Sequence, residues 1–124
     1  MKVIKALVAD DDGITRHLLR TLLRQSYVEV VGEATNGLEA LELCSKLQPD
    51  VLILDINMPK MNGFEALKSI RSAHPEIAVV MMSSDATQSN VEEARTYGID
   101  RFIVKPFSPA QVIRAVTGAV PVDG

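Results

Sequence analysis

The stretch "LILDINMPKMNGFEAL", residues 52–67, ends an apolar run on a carboxylate, Asp55, and turns at once through Met58-Pro59 and Asn62-Gly63. A buried strand that only needed to stop could do so on Gly, Asn or Ser. An Asp there is either a turn-former whose side chain bonds its own backbone, or a charged group held at a sheet edge for chemistry. What stands at the ends of the other strands decides between the two.

Working outward from this stretch, two patterns alternate. Short runs rich in Val, Ile and Leu read as strands buried on both faces: 3–9, 28–34, 51–54, 78–82 and 101–104. Between and after them lie segments with helical spacing, near 14–25, 37–47, 63–72, 88–97 and 109–119. Asn36 with Glu39, and Ser108-Pro109 with Gln111, resemble capping boxes. Gly98 stands where a helix-terminating glycine belongs. Pro49 and Pro75 fall in the helix-to-strand connections, which are a few residues long. Five strand–helix repeats imply a doubly wound α/β fold, a five-stranded parallel sheet with helices on both faces.

The 124 residues suit one compact domain. With 47% hydrophobic residues, no Trp and three Phe, the core is aliphatic. A net charge of −3 argues against a nucleic-acid surface made by this domain alone. The single cysteine, Cys44, allows no internal disulfide and sits in an apolar helical pattern, as a small buried hydrophobe does. One thiol fits a reducing cytosol. No apolar run approaches the ~18 residues of a membrane span, and the acidic turn after "MKVIKALVA" reads as a first strand rather than a signal peptide. The tail "VPVDG" (120–124) reads as an end or a truncated linker.

In an open α/β sheet, ligands bind beyond the carboxyl ends of the strands. The first strand ends on Asp10, Asp11 and Asp12, the third on Asp55, the fourth on Ser83 and Ser84, and the fifth on Lys105-Pro106. Two carboxylates about 4 Å apart repel by roughly 4 kcal/mol at an effective dielectric near 20. Three or more at one edge need cations. Lys105 supplies one charge. A hard divalent ion with oxygen ligands supplies the rest, and Mg²⁺ is the natural candidate. The absence of His or Cys from the set disfavours zinc and copper.

At this point the chain resembles a family. "LVADDD" with Arg16 beyond it, "GEATNGLEAL", "DINMPKMNG", "VVMMSS" and "GIDRFIVKPF" stand in the order and spacing of the CheY-like receiver domains of two-component response regulators. The resemblance covers essentially the whole chain, 1–124, as a single receiver domain. It implies a flavodoxin-like (βα)5 fold with strand order 2-1-3-4-5, an order for which CheY is itself a standard example. It implies that Asp55 accepts a phosphoryl group from the phosphohistidine of a histidine kinase. Asp10, Asp11, Asp55 and the backbone carbonyl of Asn57 would hold Mg²⁺. Lys105 and Ser83 would contact the phosphoryl oxygens, and the Lys105-Pro106 bond would be cis. Ser83 and Phe102 would form the switch. Phe102 stands where the family often has Tyr and cannot make that hydroxyl's hydrogen bond. Three consecutive Asp residues allow two registers for the acidic pair; the spacing to Arg16 favours Asp10 and Asp11.

The resemblance further implies a cytoplasmic phosphoacceptor that is not a turnover enzyme, though it assists its own phosphorylation and dephosphorylation. Its partners would be a sensor kinase or phosphotransfer protein, and an output protein bound by the face of helix four, strand five and helix five. It would touch neither nucleic acid nor membrane. "GEATNG" and "GIDRFIVKPFSPAQV" look most like stand-alone chemotaxis regulators; the alternative is a receiver cut from a regulator with a DNA-binding or enzymatic output domain. A flavodoxin shares the architecture, but its phosphate would meet "DDD". A haloacid-dehalogenase-like phosphatase needs a second Asp where Asn57 stands. No P-loop motif occurs. His17 and His74 read as exposed, Ser84 as incidental, Met58, Met61, Met81 and Met82 as packing, and Glu92, Glu93 and Arg95 as a solvated helix face.

Overall fold

The structure, a computed structural model, describes residues 3–85 and 87–120. The strands β1 (Ile4–Ala9), β2 (Val28–Ala34), β3 (Val51–Asp55), β4 (Ala78–Ser83) and β5 (Arg101–Val104) alternate with the helices α1 (Gly13–Arg24), α2 (Gly37–Leu47), α3 (Gly63–Ala73), α4 (Gln88–Thr96) and α5 (Pro109–Ala119). The strands pair in parallel in the order β2-β1-β3-β4-β5. This is the flavodoxin-like arrangement, with β1 and β3 meeting at the switch in strand order. The tail residues 121–124 lie outside the described part.

Strand alternation divides the core in two. Ile53 of β3, Val8 of β1 and Val80 of β4 pack with Leu19 and Leu23 of α1 and Val112 and Val116 of α5. Their sequence neighbours Leu52, Leu54, Leu7 and Met81 face the other way, against Ala40 and Cys44 of α2, Leu67 and Ile70 of α3, and Ala94 of α4. All five residues of β3 are buried, Asp55 included. The central strand therefore carries a carboxylate to the sheet edge with almost no access to water.

Helix starts are set by polar caps. Asp12, Asn36, Asn62, Thr87 and Ser108 each accept a backbone N–H of the first turn. The reciprocal box forms at Ser108–Gln111, as the sequence suggests. It does not form at Asn36–Glu39. There the Asn36 side chain takes the Glu39 N–H at 2.9 Å, but the Glu39 carboxylate reaches one residue further back, to the N–H and hydroxyl of Thr35 at 2.7 and 3.2 Å. A complete box stands instead at Asn62–Glu65, where the sequence pattern reads only as a turn. Gly98 follows α4 at φ +88, a conformation that suits glycine.

His17 is exposed, but His74 is not, contrary to the expectation from sequence. It ends α3, its side chain is 15% exposed, and Nε2 lies 2.9 Å from Ser45 Oγ on α2. The contact depends on how α2 and α3 pack, which no local pattern encodes. Glu92, Glu93 and Arg95 are exposed on α4.

Candidate functional site

At the carboxyl edge of the sheet, backbone bonds place each side chain. The Asp10 N–H donates to Ala34 O at 3.0 Å, extending β1 alongside β2. The Lys105 N–H donates to Ser83 O at 2.9 Å, so β5 ends beside the end of β4. The Ile56 N–H donates to Met82 O at 3.1 Å, and that of Gly63 returns to Ile56 O at 2.8 Å, folding the connection after Asp55 tightly over the strand end. A Cβ at residue 63 would stand 2.4 Å from Asp55 O, so only glycine allows this approach.

These constraints bring Asp10, Asp11 and Asp55 together, with one carboxylate oxygen from each within 4.8 Å of the others. Asp10 is fully buried and Asp55 is 4% exposed, whereas Asp11 faces solvent. Asp12 turns away to cap α1, bonding the Ile14 N–H and the Thr15 hydroxyl. Of the three consecutive Asp residues, Asp10 and Asp11 are thus the two whose carboxylates gather with that of Asp55. The Thr15 hydroxyl and the Ile14 N–H hold the Asp12 carboxyl below its usual range.

Lys105 enters from β5. Its Nζ lies 2.8 Å from Asp10 Oδ2 and 3.4 Å from Asp55 Oδ1. Burial alone would lower its pKa, but the bond to Asp10 and the charge of Asp55 hold it above the ordinary lysine value. Asp55 is also pushed up, to about 6, first by burial and then by the charge of Asp10, with Lys105 opposing. A carboxyl titrating there is still mostly ionised at neutral pH. Three carboxylates thus face the single ammonium of Lys105.

The donor set is oxygen only, from three carboxylates. That suits a hard divalent cation such as Mg²⁺ and would serve a soft one poorly. Asn57 is exposed in the connection after β3. Ser83 is fully buried, and its hydroxyl is turned into its own connection: Oγ accepts the Asp85 N–H at 2.9 Å and donates to Asp85 O at 3.2 Å. Phe102 is half-buried against the α2–α3–α4 side of the core and pairs in register with Met81, two residues before Ser83 on the neighbouring strand. The Lys105-Pro106 bond is cis.

Two participants escape the sequence patterns. Asp85 occupies the Ser83 hydroxyl, a bond between near neighbours that depends on the backbone path after β4. Glu33 on β2 binds the guanidinium of Arg16, whose Nη1 donates to the carbonyl of Asp10 at 2.7 Å. The Arg20 hydrogen bond, with further help from Arg16, holds the Glu33 carboxyl below its usual range against the effect of partial burial.

This fold, with an acidic cluster and a lysine at its switch point, has counterparts among known proteins. The profile described as "Response regulator receiver domain" matches residues 6–117. The chemotaxis protein CheY of Thermotoga maritima is 40% identical over 112 residues, covering 90% of this chain and 93% of that protein. The response regulator domain of T. maritima CheB superposes with a TM-score of 0.89 at 36% identity, covering 99% of this chain and 100% of that one. CheY in a CheX–CheY–BeF3–Mg complex from Borrelia burgdorferi superposes with a TM-score of 0.90 at 28% identity, covering 93% and 87%. The chain belongs to the response regulator receiver domain family.

Among the described residues, no helix is long and apolar enough to cross a membrane.

Proposed function

We propose that the protein is a single-domain, cytoplasmic receiver of the chemotaxis type, switched by phosphorylation of Asp55. The observation that carries this reading is the nearly buried Asp55 carboxylate within reach of Asp10, Asp11 and Lys105. An oxygen of Asp55 attacks the phosphorus of a phosphohistidine on a partner kinase or phosphotransfer protein. The O–P bond forms as the N–P bond breaks, and the electron pair returns to the imidazole. Positioning and charge neutralisation carry most of such a transfer.

Asp10, Asp11 and Asp55, with the backbone carbonyl of Asn57, would hold Mg²⁺. The bound ion supplies positive charge to the oxygens of the transferring group. Lys105 adds the positive charge of its ammonium on the β5 side. The Ser83 hydroxyl leaves Asp85 and donates to a phosphoryl oxygen. The space it vacates is filled by rearrangement of Phe102. The face of α4, β5 and α5, including the groove of about 330 Å³ lined by Arg101, Phe102, Val104, Gln111 and Arg114, then changes its affinity for an output protein.

Incubation with acetyl phosphate and Mg²⁺ tests the acceptor. One phosphoryl group per chain, removed by Asp55→Asn with the fold intact, is the expected result. Equal labelling of Asp55→Asn overturns the assignment.

A further inference from the structure

Arg16 stands out in the sequence by its spacing from the acidic run, yet it is no part of the acceptor chemistry. Its side chain is 19% exposed and its guanidinium is engaged on two sides. Nη1 donates to the Asp10 carbonyl at 2.7 Å, and Nε donates to Glu33 Oε1 at 3.0 Å. The other Glu33 oxygen takes Arg20, through Nε at 3.1 Å and through Nη2. Asp10 is thereby pinned at every polar group: its N–H by Ala34 O, its carbonyl by Arg16, Oδ1 by the Asp12 N–H at 2.8 Å, and Oδ2 by Lys105. The peptide joining Asp10 to Asp11 is therefore held from the β2 side, and its orientation sets where the exposed carboxylate of Asp11 points.

We infer that Glu33 and Arg16 are positioning residues for cation binding: Glu33 locks the Arg16 guanidinium on the Asp10 carbonyl and so fixes the Asp10–Asp11 pair. The inference rests on the reading of that pair as holding Mg²⁺. Neither residue touches the ion. They act as the outer partners of metal ligands do, by removing alternative orientations before the ion arrives. The planar fork of an arginine is needed, because one side chain must hold a carbonyl and a carboxylate at fixed angles. A lysine has the charge without the fork.

Titration of Mg²⁺ into the full chain, followed by amide chemical shifts, tests this in four proteins. Wild type should saturate with shifts at Asp11 and in the connection after β3. Arg16→Lys leaves net charge unchanged and should weaken Mg²⁺ binding about tenfold, the lower end for outer-shell support. Its metal-free Asp11 and Asp12 amides should already be displaced. Glu33→Ala should behave likewise. Arg20→Ala removes only the more exposed partner of Glu33. It should lower thermal stability slightly and leave the Mg²⁺ affinity close to that of wild type.

Unchanged affinity in Arg16→Lys and Glu33→Ala, with lowered melting temperature alone, would reduce the pair to a structural role and overturn the inference. An equal loss in Arg20→Ala would overturn it too, by tracing the effect to general stability. Absence of any Mg²⁺ response in wild type would overturn the cation reading itself and this inference with it.

Discussion

The ammonium of Lys105 is bonded to Asp10 at 2.8 Å, with Asp55 farther off at 3.4 Å. The resting lysine thus serves as counter-ion to a carboxylate that has no access to water.

Lys105→Ala should therefore affect stability before it affects signalling. It leaves Asp10 buried and uncompensated, a loss approaching the roughly 3–5 kcal/mol seen when one member of a buried pair is removed. Mg²⁺ should restore more stability to this variant than to wild type, because the ion then meets a larger excess of negative charge. Urea unfolding with and without Mg²⁺ measures both effects. An equal metal-induced gain in the two proteins would mean that Lys105 does not neutralise the pocket.

Asp55 makes a pH-dependent contribution of the opposite kind. In the unfolded chain its proton leaves near the ordinary value of 3.8, and in the folded chain at about 6. Between those values the folded state holds more protons, so this group lowers stability as pH rises through the window. Asp55→Asn removes the penalty. The variant should exceed wild type by up to roughly 3 kcal/mol above pH ~7, since each tenfold change in proton affinity is worth about 1.4 kcal/mol. The advantage should vanish near pH ~4, approaching the unfolded-state value, and shrink when Mg²⁺ is present. Thermal melts across pH check the sign: a variant less stable at neutral pH would contradict the burial of an unfavourable charge.

The sheet was legible because each strand is a compact apolar run, and helix bounds fall within one residue of the periodic segments because caps mark them. That Asp10, Asp11, Asp55 and Lys105 come together was legible because parallel strands deliver their last residues to one edge. What the pattern could not carry are contacts across elements. His74 of α3 docks on Ser45 of α2. Arg71 ties α3 to Gly98 O, Ile77 O and the Asp100 carboxylate. Each depends on the relative placement of two chain segments, and a one-residue rotation of either helix would erase it.

Cys44 offers a check on packing that is independent of signalling. It is fully buried on α2, and burial pushes its thiol up to about 12. The reactive form is the thiolate, so native protein at pH ~8 should resist iodoacetamide and react only through opening. The labelling rate should rise with urea in step with unfolding. Rapid labelling under native conditions would mean that α2 leaves the sheet far more readily than its packing implies.

The last prediction concerns Ser83, whose single hydroxyl proton is committed to Asp85 O in the resting structure. It cannot donate to a phosphoryl oxygen without releasing that carbonyl. Asp85 is exposed, so water can replace the lost bond, and the exchange costs little, on the order of 1 kcal/mol or less. A hydroxyl held this lightly suits a two-position switch. Ser83→Ala should thus keep near-normal stability and still accept phosphate at Asp55, since the nucleophile, the acidic pair and Lys105 are untouched. What it should lose is transmission: beryllofluoride with Mg²⁺ should shift amides after β1 and β3 in both proteins, but those of α4 and β5, Phe102 included, strongly only in wild type. Equal α4 and β5 shifts in Ser83→Ala would show that the switch runs by another route. Phosphorylation lost along with transmission would place Ser83 in the transfer step itself.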